Sequence, residues 1–140
     1  MKITPWMCLL SAFWFGCSTQ FQPDDTSHEF IAFGTGGGFT GIETTHYLLT
    51  SGQLFKQVGV NGDLEKLSKI KSNTTTQIFN SIRSFGLVSY QFEHPGNAYR
   101  FLDIHLGNQR NRIVWAEGDQ TVLKECKDVD ALLNQLISGK

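Results

Sequence analysis

Proline and cysteine are scarce, with three of each in 140 residues, and no block of lysine or arginine occurs anywhere. Few prolines leave long stretches free to pair as strands. Without a basic block, and with a formal net charge of −1, the chain sets up no long-range field to draw in nucleic acid. Charged residues make up only 18%, yet hydrophobic residues reach 40%, which excludes wholesale disorder. What is plentiful is glycine, at 14 residues, and phenylalanine, at 11, a balance that favours sheet and turns over a helical bundle. The length suits one domain with a sufficient core.

No apolar run is long enough to span a bilayer. The longest, Ile3 to Gly16, has about 14 residues and follows a single charge at Lys2, whereas a spanning helix needs roughly 20. Pro5 and the lack of a polar face argue against a buried helix here. A charged start followed by a short apolar run has the plan of a secretory signal. It ends in Trp14-Phe15-Gly16-Cys17, which resembles the lipobox of bacterial lipoprotein precursors. That resemblance implies acylation of the Cys17 thiol, cleavage just before it, and attachment to a membrane through acyl chains. Ser18 in place of an aspartate implies, by the sorting rule of enteric bacteria, passage to the outer membrane. Cysteine arithmetic agrees. Cys8 would leave with the signal and Cys17 would be acylated, so Cys126 would remain alone, unable to form an internal disulfide. Taking Lys2 from the 12 basic residues leaves 11 against 13 acidic, a net charge of −2, so a basic patch is not the anchoring device.

These readings divide the chain into a signal peptide (1–16), a polar tether interrupted by Pro23 (17–28) and one domain (29–140). Within the domain, Glu29 to Phe33 reads as a strand stopped by Gly34-Thr-Gly-Gly-Gly38, Phe39 to Thr50 as a second and Leu54 to Val60 as a third, with Asn61-Gly62 a hairpin-type turn. Leu64, Leu67 and Ile70 leave their segment open between helix and extended chain. Thr74 and Gln77 have capping-box spacing ahead of an apolar face of Ile78, Phe79, Ile82 and Phe85, with Gly86 as the left-handed stop. Tyr99 to Leu106 alternates, placing Arg100, Leu102, Ile104 and Leu106 on one side and Tyr99, Phe101, Asp103 and His105 on the other. Arg112 to Ala116 pairs with it, and Asp128 to Ile137 is a helix with a Val129, Leu132, Leu133, Leu136, Ile137 stripe. The expected fold is α+β, an antiparallel sheet of about five strands with two helices on one face.

The densest candidate site is Gly36-Gly37-Gly38-Phe39-Thr40-Gly41. Gly36, Gly38 and Gly41 satisfy the spacing of a dinucleotide fingerprint. The strand-favouring Ile42 to Tyr47 that follows denies the helix N-terminus a pyrophosphate needs, and no Lys-Ser or Lys-Thr follows to make a P-loop. Two readings stay open. One is a turn or bulge demanding positive φ. The other is a contact loop whose bare backbone admits a partner, with Phe39 as its apolar anchor. His28, His46, His94 and His105 lack metal-ligand spacing. His46 with Glu43 and His105 with Asp103 are conceivable acid–base pairs, but no hydrolase or metalloprotease motif accompanies them. No cofactor, metal or catalytic set is expected. Cys126 reads as a small buried residue, and the Asn73-Thr74-Thr75 sequon as part of a helix cap.

The glycine–phenylalanine segment, the Tyr99-Arg-Phe101 strand and Ile113-Val114-Trp115 are similar to features of small lipoproteins of Bacteroidetes-type bacteria. More remotely, Gly37 to Gly41 resembles the Gly-Gly-Phe-Ala-Gly segment of emfourin, an inhibitor of thermolysin-like metalloproteases. The first resemblance implies a cell-envelope lipoprotein with a non-catalytic, protein-binding domain, and the second implies protease inhibition through the glycine loop.

Overall fold

A computed structural model describes residues 20–139. The stretch read above as a signal peptide and Cys17, the expected acylation site, lie outside them. The chain is α+β, with a mixed sheet of seven strands and two helices. In chain order these are β1 (Phe30–Gly37), β2 (Thr44–Leu49), β3 (Leu54–Val58), β4 (Glu65–Lys66), α1 (Ser72–Ser84), β5 (Glu93–His94), β6 (Ala98–Leu106), β7 (Gln109–Ala116) and α2 (Lys124–Ser138). The sheet order is β4-β3-β2-β1-β6-β7-β5.

Five all-antiparallel strands is therefore corrected to seven, of which β5 runs parallel to β7. The two additional strands are edge pairs of two residues each, too short to carry a hydrophobic period. β4 settles the open segment as extended chain, pairing Glu65 with Lys56 and Lys66 with Phe55. β1 is longer than expected. It does not stop at Gly34 but continues through Gly37, held on one side by β2 and on the other by β6.

Strand alternation sends Ile31, Phe33, Leu48, Leu54, Leu102, Ile104, Leu106, Ile113 and Trp115 to one face. Ile78, Phe79 and Ile82 of α1 and Cys126, Val129 and Leu133 of α2 cover that face and complete the main core. The expected alternation of β6 is observed. Leu102, Ile104 and Leu106 enter this core, while Arg100 on the same side donates to Asp130 of α2 at 2.7 Å. Burial pushes the Asp130 carboxyl up, and the Arg100 charge opposes the shift.

Helix α1 starts two residues before Thr74, with Lys71 in the capping position and no side-chain cap bond. The capping box is thus not formed, and the sequon does not cap either. The Thr75 hydroxyl donates back to the Lys71 carbonyl at 3.1 Å. The helix ends as expected at Gly86, whose φ of 66° allows Leu87 N–H to reach Ile82 O and Gly86 N–H to reach Arg83 O. Phe85 caps the helix from a largely exposed position rather than joining its buried face. α2 is longer than Asp128 to Ile137, and of its expected stripe Val129 and Leu133 are fully buried while Leu132, Leu136 and Ile137 are partly so.

The second face of the sheet has no helix. At the end where β1 begins, Phe30, Ala32, Tyr47, Leu49 and Phe55 form an aromatic layer, and Phe21 closes it. Phe21 falls in the stretch expected to be tether, yet it is only 4% exposed. Its ring stacks on Phe55 at 5.0 Å and meets Phe30 and Tyr47 edge-on at 5.4 and 5.7 Å. Residues 20–28 accordingly lie as a strap over the open face.

Candidate functional site

The glycine segment builds one end of the sheet. β1 ends there, β2 begins, β3 turns back through Gly59 to Gly62, and β6 enters. Gly38 N–H donates to Asn97 O at 2.6 Å and Gly59 N–H to Glu43 O at 2.8 Å, which clamps the two neighbouring turns to the sheet. Of the large apolar side chains exposed among the described residues, Phe39, Ile42, Val58 and Val60 all stand at this end, and Phe85 and Leu123 elsewhere. Phe39 is fully exposed and Val60 is 89% exposed. No charged residue occurs in 30–42 or 57–62, so the two turns form an uncharged apolar tip.

The glycines do different things. A Cβ on Gly36 would lie 2.5 Å from the Tyr99 ring, and one on Gly37 would lie 2.1 Å from the Asn97 carbonyl, at a φ of 77°. A Cβ on Gly34 would meet the Thr44 carbonyl at 1.9 Å. A Cβ on Gly38 or Gly41 would meet nothing, and these two positions need only positive φ. Gly36 and Gly37 are therefore structural, and Phe39 is the residue of the segment that projects.

The bare stretch of β1 over Gly34 and Gly36 has a further consequence. Side chains of β6 and β7 lean across it to Glu43, just ahead of β2. Tyr99 donates to Glu43 Oε2 at 3.0 Å, and Arg112 Nη2 donates to the same oxygen at 2.8 Å. The Arg112 guanidinium lies 4.2 Å above the Phe101 ring centroid and also reaches Asp103 Oδ2 at 3.5 Å. Asp103 Oδ1 and His105 Nε2 are 2.9 Å apart. Loss of hydration, reinforced by the Glu43 bond, raises the Tyr99 phenol above its ordinary value. Together with Asp24 of the strap, Thr45 and Tyr47, the side chains of Glu43, Asp103, His105 and Arg112 line a shallow polar cleft on the open face.

Of the two acid–base pairs that the sequence allows, His105 with Asp103 is in contact and His46 with Glu43 is not. Glu43 is engaged by Tyr99 and Arg112, not by His46. His46 points to the helix-covered face, stacked on Phe33 at 5.4 Å, while His105 lies on the open face, stacked on Phe30 at 4.1 Å. The sheet separates them, so no cleft contains both. Burial, with Lys56 nearby, lowers the His46 imidazole below its ordinary value. His28 packs on Phe21 and His94 on Phe92. Among the described residues no group of three or more His, Cys, Asp or Glu could hold a metal ion. Cys126 is fully buried, and that burial pushes its thiol up to about 12.

Apart from the contact of His105 with Asp103, the polar network was not anticipated from sequence. Its longest link, Glu43 to Arg112, joins residues 69 apart, and only the strand order brings them together. No protein-family model matches the chain, and no curated protein matches it in sequence.

Proposed function

We propose that the chain is a lipid-anchored cell-envelope lipoprotein, carried to the outer membrane, whose non-catalytic domain binds another protein through the Gly36–Gly41 hairpin. The observation that carries the binding half is Phe39, a fully exposed aromatic ring on a hairpin whose backbone is clamped at its base. Aromatic residues at the centre of an uncharged patch supply most of the energy of many interfaces. Ile42, Val58 and Val60 beside it widen the apolar contact. The anchoring half rests on the charged start, the short apolar run and Gly16-Cys17. No helix among the described residues is long and apolar enough to cross a membrane.

Metabolic labelling with a palmitate analogue tests the anchor: label enters the wild type and not Cys17→Ser, and equal labelling of both refutes it. For binding, Phe39→Ser is expected to keep the unfolding midpoint of the wild type and lose at least tenfold in affinity for a captured partner, because Phe39 buries nothing in the free domain. Undiminished binding by Phe39→Ser removes the hairpin from the interface.

The same exposed ring also favours a second reading, inhibition of a thermolysin-like metalloprotease by insertion of Phe39 into an apolar subsite. Unchanged activity of such a protease with micromolar domain present excludes it for that class.

A further inference from the structure

The strap changes how far the domain can stand from a membrane. Had residues 17–28 been free chain, twelve steps from Cys17 to Glu29 would span up to ~43 Å at full extension. With Phe21 packed against Phe55, Phe30 and Tyr47, the chain is already seated at Gln20. Gln20 itself lies beside His28, Leu49, Leu64 and Lys66, at the end of the sheet where β1 begins. Only three steps then separate Cys17 from the folded surface, at most ~11 Å. The Phe39 tip stands at the other end. From Phe30 to Phe39 is at most about nine strand steps, or ~30 Å.

We propose that Phe21 is a peg that fixes this short leash, so that an acyl anchor at Cys17 confines the Phe39 tip to within ~40 Å of the bilayer, where it engages a protein of that same membrane. The inference rests on the lipoprotein reading above. Lipid is the poorer occupant for the tip. Exposed carboxylates stand beside it, Asp24 sharing a cleft with Gly59 and Val60 and Asp63 following the turn after β3, and the net charge of −2 after loss of Lys2 repels an anionic surface. The partner that fits is a protein with an aromatic-sized apolar pocket and basic groups at its rim. Confinement to one surface raises its effective concentration without any added contact.

The test measures height. Protein beginning at Cys17 is coupled through that thiol to a maleimide lipid in phosphatidylcholine vesicles, Cys126 being buried and unreactive. A donor dye is placed on an unnatural residue at position 40 and acceptor dyes in the bilayer. Energy transfer is expected to place the donor within ~40 Å of the surface. Phe21→Ala should free the strap and raise the mean height by roughly 10 Å, since the r.m.s. length of free chain grows from about 10 Å for three residues to about 20 Å for twelve. An eight-residue Gly-Ser insertion between Ser18 and Thr19 leaves the fold untouched and should give a similar rise. If the insertion raises the donor and Phe21→Ala does not, the peg is refuted. Quenching of the donor by brominated lipid tails places the tip in the membrane and overturns the protein partner.

In cells, a benzophenone at position 60 should cross-link a membrane-fraction protein, and Phe39→Ser should abolish the adduct; adducts confined to soluble proteins overturn the proposal. Because the vesicle coupling is chemical, a failure of palmitate labelling at Cys17 would remove the lipoprotein reading and leave the height measurement standing.

Discussion

Alanine substitutions along the glycine segment separate its architectural positions from its merely permissive ones. At Gly38 a new Cβ meets nothing, so Gly38→Ala has only the left-handed backbone to contend with, about 1–2 kcal/mol. At Gly37 the same backbone strain is joined by a Cβ 2.1 Å from the Asn97 carbonyl. Relief takes a shift of about 1 Å, which breaks the 2.6 Å bond from Gly38 N–H to that carbonyl. Losing it at a sheet end adds about 1–3 kcal/mol, for a total of about 2–5 kcal/mol. Gly36→Ala falls between. Its Cβ strikes the far end of the Tyr99 side chain, which can swing outward by giving up its bond to Glu43. Urea unfolding followed by circular dichroism should therefore rank Gly37→Ala well below Gly36→Ala and Gly38→Ala, with slopes unchanged. Equal midpoints for Gly37→Ala and Gly38→Ala would refute the account of how the hairpin is built.

Three further outcomes follow from the core. Asn111, buried on β7, donates to the carbonyls of Leu87 and Tyr90 at 2.7 Å each; Asn111→Leu strands both and should lower stability by about 3 kcal/mol in the same unfolding assay. Because the folded-state pKa of His46 is lowered, the unfolded chain binds the extra proton first as pH falls below about 6.5. Stability present above that pH is thus lost toward pH 5, and His46→Leu should flatten that loss when urea midpoints are compared at pH 7.5 and 5.5. Cys126, fully buried with its thiol pushed up to about 12, should resist thiol reagents in the native protein and react at once in denaturant.

What could be read from the sequence is what local periodicity encodes. The two sides of β6, the left-handed stop at Gly86 and the apolar core of α2 all follow from spacing of 2.0 or 3.6 residues. The elements that escaped depend on partners far along the chain. Glu65–Lys66 and Glu93–His94 are strands only because β3 and β7 offer free edges, and neither pair has an apolar pattern of its own. Gly34 to Gly37 looks like a strand stop locally. It is a strand because β2 and β6 pair with it on either side, and the Thr44 carbonyl, the Tyr99 ring and the Asn97 carbonyl leave Gly34, Gly36 and Gly37 no room for a side chain. Phe21 was hidden for a related reason, being one aromatic residue in a polar stretch whose pocket is assembled by β1, β2 and β3. Of the candidate site, Phe39 was legible as an apolar residue among glycines, whereas the Glu43–Arg112–Asp103 network was not, its members lying on three separate segments.

The open face ties these observations into one arrangement. Gly36 and Gly37 serve the tip without touching a partner, since their missing side chains let β6 and the Asn97 carbonyl press against β1 and hold the base of the hairpin. A clamped hairpin presents Phe39 with little backbone freedom left to lose, and loss of freedom is a main cost of association. Tyr99 and Arg112, converging on Glu43, hold the start of β2 from the other side. Exposed ion pairs of this kind add little stability, so their contribution lies in fixing where the chain leaves the hairpin. Arg112→Ala, which also uncovers the Phe101 ring, should accordingly cost only about 1 kcal/mol of stability, while under the proposed function it weakens partner binding through faster dissociation, even though Arg112 lies outside the Gly36–Gly41 hairpin. Full affinity in Arg112→Ala would mean that the hairpin is positioned by its backbone clamps alone.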